Sequence, residues 1–441
     1  MKLPAFLRPK VRAPSGAAQA VISQTGALPE LPAFAWQGEG VRAQGRLGQV
    51  LAMALDPANP DGEVFQPLRS FLASPQASDF EHLSDAAARV FVFAGVSAAR
   101  ELPRELSAQL GGEVQRHAGW IQSQRAPQGP RRVLQSGALV LAGLGWPELK
   151  GASRWWSAGL ADLGRSFPAG LHPDGGPREG GAALLLRQVQ LLWAVVQVCE
   201  KASVALPAGL IPSLCAASTF LRDLGAGGPM PKLGPALYEP LLGNDTEWPL
   251  SQALARGWTP SVPTPGEDKD WVMRPLRESG FVLLHAKLSG AASRVVMDLH
   301  TGQVIWHVAG QPVLVEQGLA CMDRPESWKP ELKVARVDGR VAAVLWTSTG
   351  RKGEWTRDLR AEGSRLMITD RIEGEPLQVR WRFGEHLALS KREKPGQWLL
   401  EGGPKVRVTL DTDQATWVSQ DGPELHGVLG AGVRHRSRFE V

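Results

Sequence analysis

The stretch that decides the architecture runs from Arg116 to Trp193: RHAGWIQSQRAPQGPRRVLQSGALVLAGLGWPELKGASRWWSAGLADLGRSFPAGLHPDGGPREGGAALLLRQVQLLW. Apolar residues recur in it at spacings of three and four, and each such run closes on Gly, Pro or both, the pattern of successive amphipathic helices with short breaks. The segment AALLLRQVQLLWAVVQVCEKA, residues 182–202, is the most strongly helical in the chain. Helices joined by short breaks lie antiparallel to their neighbours, so this half reads as an all-α bundle, solenoid or toroid.

Working outward, the helical text extends from Asp79 to about Leu224 and sets a helical domain over residues 79–225. Residues 1–78 are rich in Pro, Gly, Ala and Gln and read as an irregular arm with one helix near GRLGQVLAMAL. Residues 226–276 are dominated by Pro and Gly and read as an interdomain linker. From residue 277 to 441 short alternating segments such as SGFVLLHAKL, SRVVMDLH, QVIWHV and KVRVTLD are separated by Gly, Asp and Pro. Many short strands at close spacing predict an antiparallel β-sandwich. The expected fold is therefore α+β and multidomain, helices first and strands second.

Composition narrows the classes. The chain has 441 residues, of which 43% are hydrophobic and 21% charged, which describes a folded globular protein and excludes a disordered or fibrous one. A net charge of +5 comes from arginines scattered along the chain; it suits an anionic partner and equally suits ordinary solubility. Cys199, Cys215 and Cys321 are odd in number and lack metal-ligand spacing, so neither a disulfide framework nor a metal site is expected. The N-terminus MKLPAFLRPKVRAPSG lacks the apolar core of a secretory signal, and no apolar run approaches the length of a membrane span, which points to the cytoplasm. There are 16 Trp and one Tyr, Tyr238. An indole face can stack on a sugar ring, although core tryptophans are commoner. No P-loop, dinucleotide fingerprint, HExxH, GxSxG or CxxC is present, so no cofactor and no nucleic acid is expected.

The central stretch resembles the heparinase II/III-like polysaccharide lyases. Ala138–Gly143, ALVLAG, resembles the family helix of the type AxALVFAG; Arg154-Trp155 falls on its Trp-bearing helix, and Pro173-Asp174-Gly175-Gly176 with Glu179 on its PDGGHFE loop. HTGQVIWHVAGQPVLVEQG, from His300 to Gly318, resembles the family's strand signature HxHADxLSFEL with its GGxPLLVDSG continuation. WTRDLRAEGSRLMITDRIEG and LQVRWRFGEHLALS are similar to its later strand pairs. The resemblance spans about residues 80–441 and implies an N-terminal (α/α) toroid-like domain followed by the sandwich.

What the resemblance implies chemically is β-elimination of a uronide. The C5 proton becomes acidic once the neighbouring carboxylate is neutralised; a base must take it and an acid must protonate the leaving oxygen. Carried over residue by residue, the family's Asn-His pair falls on Pro130-Arg131, its Tyr-His pair on Leu184-Leu185, and the His after PDGG on Pro177. The first histidine of HxHAD falls on Asp298 and its Asp on Gly302, while His300 keeps the second histidine. The HNTV element falls on Leu332-Lys333-Val334-Ala335. A leucine cannot abstract a proton.

His300 is thus the candidate catalytic residue, and reads equally as a histidine in a strand turn. Asp298, two positions earlier on the same strand face, can pair with it around a proton or a metal, but two ligands do not make a zinc site. Arg131, Arg178, Glu179, Arg187 and Asp298 are the candidate substrate-binding residues; the guanidinium groups of Arg131 and Arg178 can grip a carboxylate in a two-pronged fork. Glu179 at a helix start also reads as a dipole partner, and Asp174 in PDGG as a turn residue. The expected partner is an anionic, uronic-acid polysaccharide, bound by a pseudoenzyme; an active lyase with relocated residues and a non-catalytic protein-interaction module are the alternatives.

Overall fold

The structure is a computed structural model that describes residues 59–74, 83–225, 247–257 and 271–440, less single positions and short stretches of which 320–328 is the longest, together with residues 50 and 54. The sequence readings at Tyr238, at Cys321 and over most of GRLGQVLAMAL lie outside the described residues.

Among the described residues there are eight helices: α1 Asp61–Leu72, α2 Leu83–Ala99, α3 Arg104–Ser123, α4 Pro130–Gly145, α5 Ala152–Ala169, α6 Gly181–Lys201, α7 Leu210–Gly225 and α8 Glu247–Leu254. α4 begins with Pro130 in its first turn, where a missing N–H costs nothing. Its buried run from Val133 to Gly143 packs on α5 so closely that a Cβ on Gly143 would sit 2.4 Å from the Ala152 carbonyl oxygen, which accounts for the glycine ending ALVLAG. α6 is apolar nearly all round and forms the centre of the unit, with Leu186, Val189, Leu192, Trp193 and Val196 all fully buried. Contrary to the expectation that no apolar run approaches a membrane span, α6 is long and apolar enough to cross one by length and composition; its burial is that of a core helix.

Sixteen strands follow among the described residues. The first five are β1 Val272–Leu276, β2 Phe281–Leu288, β3 Ala291–Asp298, β4 Val304–Val308 and β5 Gln311–Leu319. Next come β6 Lys329–Asp338, β7 Val341–Gly350, β8 Gly353–Glu362, β9 Arg365–Gly374, β10 Leu377–Phe383 and β11 Ala388–Lys391. The last are β12 Gln397–Glu401, β13 Val406–Leu410, β14 Thr416–Ser419, β15 Pro423–Leu429 and β16 Arg434–Glu440. They form two eight-stranded sheets, ordered β14-β15-β10-β5-β4-β3-β2-β1 and β11-β12-β13-β16-β9-β8-β7-β6. Described neighbours pair antiparallel, for example β2 with β3 from Phe281↔Asp298 to Leu288↔Ala291. Alternate residues of both sheets, among them Val282, Leu284, Val295, Trp306, Leu359 and Ile368, share one apolar core.

The chain divides into two compact units: the helices up to Phe220 with α8, and residues from Leu221 at the end of α7 with the strands. Three elements depart from the sequence reading. α1, inside the expected arm, buries Val64, Phe65, Leu68 and Phe71 on one face. α8 and β1 lie inside the expected linker. β1 is an edge strand, the place in a sheet that tolerates Pro275, so its proline disguised a strand as a loop. Cys199 and Cys215 are free and buried, as their apolar surroundings implied, and burial pushes the Cys199 thiol up to about 12.

Candidate functional site

In the helical unit the loop between α5 and α6 is a small closed hairpin. Leu171 and Pro177 form a β-bridge, the His172 N–H donates to the Gly176 carbonyl at 2.8 Å, and the Gly175 N–H donates to the His172 carbonyl at 2.9 Å. The Asp174 carboxylate accepts the Gly176 N–H at 3.2 Å, an Asx turn, so Asp174 has the turn role its PDGG setting implies. Gly175, at φ +87°, lies against α7, and a Cβ there would fall 2.3 Å from the Ala216 carbonyl oxygen.

The candidate binders fall into two groups. Arg131 is exposed in the first turn of α4. Glu179 is exposed too, its Oε2 2.9 Å from where a Cβ on Gly129 would stand, hence beside the positive end of α4. The exposed Arg178 is tied to the loop, its Nε donating to the Leu171 carbonyl at 2.9 Å. Arg187, by contrast, is 1% exposed, buried within the helical unit. Leu184 and Leu185 are likewise buried core residues of α6.

In the strand unit His300 sits on the turn between β3 and β4. The Asp298 carboxylate accepts the His300 backbone N–H at 2.8 Å, the Gly302 N–H donates to the Asp298 carbonyl at 2.8 Å, and the His300 ring lies over Gly280. The Asp298 contact is thus to the backbone of His300. Leu299 and Gly302 of this turn are bonded to Trp346 and Arg357, the latter in a buried ion pair with Asp370. The imidazole of His300 is exposed. Among the described residues no group of three or more His, Cys, Asp or Glu can hold a metal ion.

Two polar clusters were not singled out from sequence. In the helical unit His117 is fully buried against Phe93, its Nδ1 2.7 Å from the Glu113 carbonyl oxygen; burial, then the charges of Arg89 and Arg116, push it down to about 3. In the strand unit His285, Arg294 and His307 stand in one row across β2, β3 and β4, on the face opposite the apolar core. Arg294 Nη2 donates to His307 Nδ1 at 2.9 Å, so this nitrogen is an acceptor and His307 is neutral with its proton on Nε2. At the end of α7, Asp223 pairs with Arg222 at 2.6 Å and with Arg274 of β1. The signal was present: Leu283, Val296 and Ile305 share the outer face, so these strands are apolar on both sides and a charge among them is a buried one. Among the described tryptophans most serve the interior, with Trp193, Trp271, Trp306, Trp346, Trp355 and Trp381 fully buried.

Residues 86–213 match the family model described as Heparinase II/III N-terminus. A solved heparinase III resembles the chain with a TM-score of 0.65 at 11% identity, covering 92% of this chain and 78% of that one. A heparan sulfate lyase from Pedobacter heparinus gives 0.53 at 13% identity, covering 92% and 77%. At such identities the structural likeness is one of fold. No curated protein matches the sequence.

Proposed function

We propose that the chain, whose residues 86–213 match the heparinase II/III N-terminus model, is a catalytically degenerate member of the heparinase II/III-like polysaccharide lyases that binds an acidic, uronic-acid polysaccharide without cleaving it. In this reading the helices form an (α/α) toroid-like domain and the two sheets an antiparallel β-sandwich. The observation that carries it is the burial of Leu184 and Leu185 in α6, at the positions where the resemblance places a Tyr-His pair. Elimination needs a group that takes the C5 proton and one that returns a proton to the leaving oxygen; two enclosed aliphatic side chains do neither. Arg131 and Arg178, both exposed, retain what recognition of a carboxylate requires: fixed positive charge and a planar donor fork.

The test pairs cleavage with binding. Purified protein incubated with alginate, heparan sulfate and chondroitin sulfate is expected to generate no ultraviolet absorbance from unsaturated uronide, while at least one polymer binds and is released by salt. Sustained double-bond formation refutes the reading. In that event His300, whose exposed imidazole is free to reach a substrate, is the residue to replace by Ala, and loss of product in that variant identifies an active lyase with a relocated base.

A further inference from the structure

We propose that the face of β2–β4 bearing His285, Arg294 and His307, with Arg274 and Arg222 at its rim, is an oxyanion site that takes the carboxylate or sulfate group of an acidic sugar. The sugar identity rests on the function proposed above; the oxyanion chemistry does not.

The argument starts from charge. Arg294 is 3% exposed, and its Nε and Nη1 have no hydrogen-bond partner among the described residues. Its remaining nitrogen is bonded to a neutral imidazole, which satisfies a donor but offsets no charge. Asp223, at the rim, is bonded to both Arg222 and Arg274. On the strands themselves this face carries one other carboxylate, Asp298, four residues along β3, or about 13 Å away at strand rise. Buried cations are ordinarily paired, because losing hydration costs several kcal/mol per ion. An anion with two or more oxygen acceptors would take the Nε and Nη1 donors of Arg294, the kind of pair that grips a carboxylate or a sulfate.

The surroundings agree. Burial, then the charges of Arg294, Arg222 and Arg274, push His285 down to about 4. Burial and Arg294 push His307 down to about 3, and burial lowers Arg294 itself to about 10. All three groups thus lie where positive charge is penalised. The cluster also has an open side: Arg274 and Arg222 keep 24% and 17% of their side chains exposed, and His285 is half-buried. Arg294 forms the floor of the site and these three its rim.

The experiment is calorimetric titration of the full chain with glucuronate, glucose 6-sulfate and, as a neutral control, glucose. One acidic sugar is expected to bind, the tighter of the two naming the group the site takes, and glucose is expected not to. Arg294→Met should weaken that binding at least tenfold, and Arg294→Lys, which keeps charge but loses the fork, should weaken it less. Should Arg294→Met fail to fold, Arg294→Lys carries the test alone, and unchanged binding in it overturns the proposal. Failure of both acidic sugars to bind, or equal binding by the folded Arg294→Met protein, also overturns it. Acidic polymer is titrated in parallel: polymer binding that ignores Arg294 sinks this site and leaves the proposed function standing. Arg294-dependent binding of an acidic sugar without any polymer binding sinks the function and leaves the site.

Discussion

Replacing Asp370 by Leu should be among the most damaging single changes in the strand unit, and the geometry says by how much. Arg357 and Asp370 face each other on β8 and β9 with side chains 0% and 2% exposed. The carboxylate accepts Arg357 Nε at 2.7 Å, Arg357 Nη2 at 3.0 Å and Trp355 Nε1 at 2.8 Å, and the guanidinium lies 4.5 Å over the Trp355 ring. Removing the acid leaves a fully enclosed guanidinium uncompensated and an indole N–H without its acceptor. Loss of one partner of a buried pair costs about 3–5 kcal/mol. A neutral donor orphaned in the interior adds about 1 kcal/mol or more. Removing both charges together, as Arg357→Met with Asp370→Leu, should recover at least half of that loss, because no bare charge is then left inside. Guanidinium denaturation followed by tryptophan fluorescence measures all three variants as a double-mutant cycle. A loss below about 1 kcal/mol for Asp370→Leu alone, or a double variant as unstable as the single one, would refute the reasoning. Because Arg357 also donates to the Gly302 carbonyl, the same change should loosen the turn carrying His300, seen as a shifted and broadened His300 ring resonance.

The other predictions concern smaller perturbations. Gly175→Ala places a Cβ 2.3 Å from the Ala216 carbonyl oxygen at φ +87°, and should cost the helical unit about 2–4 kcal/mol in thermal or chemical denaturation. His300→Ala should leave stability within about 0.5 kcal/mol, since Asp298 holds the turn through the backbone N–H and the ring is exposed. His117, lowered from 6.5 to about 3, binds its proton in the unfolded chain before it does in the folded one. Its contribution is therefore complete above pH 6.5 and is lost as pH falls toward 3, by up to about 1.4 kcal/mol per pH unit. His117→Gln should flatten that limb of the stability–pH curve, and a curve of unchanged slope would remove His117 from the account.

The division of the chain was legible because each half carries its own period. Residues 182–202 repeat apolar side chains at helical spacing, while SRVVMDLH and QVIWHV alternate, and local geometry alone converts the two periods into helix and strand. Pro275 and the Pro/Gly text around it hid β1 and α8, because composition speaks for backbone preference and not for the partner strand or helix that supplies the missing stability. At the candidate sites, Asp174 could be read as a turn residue from PDGG because its hydrogen bond spans two residues of chain. Arg187 could not be placed, since a single arginine in an apolar helix looks the same whether it faces a cleft or, as here, is buried within the unit.

By itself, then, the sequence set most of the helical and extended segments, though not α1, α8 or β1, and carried the resemblance in which Leu184-Leu185 fall on a Tyr-His pair. These are properties of neighbouring residues along one chain. Only the tertiary structure decided that His285, Arg294 and His307, spread over 23 positions of chain, stand in one row, and that Nε and Nη1 of Arg294 have no hydrogen-bond partner among the described residues. Strand register sets such a row, and register depends on pairing between strands that no single strand's alternation encodes.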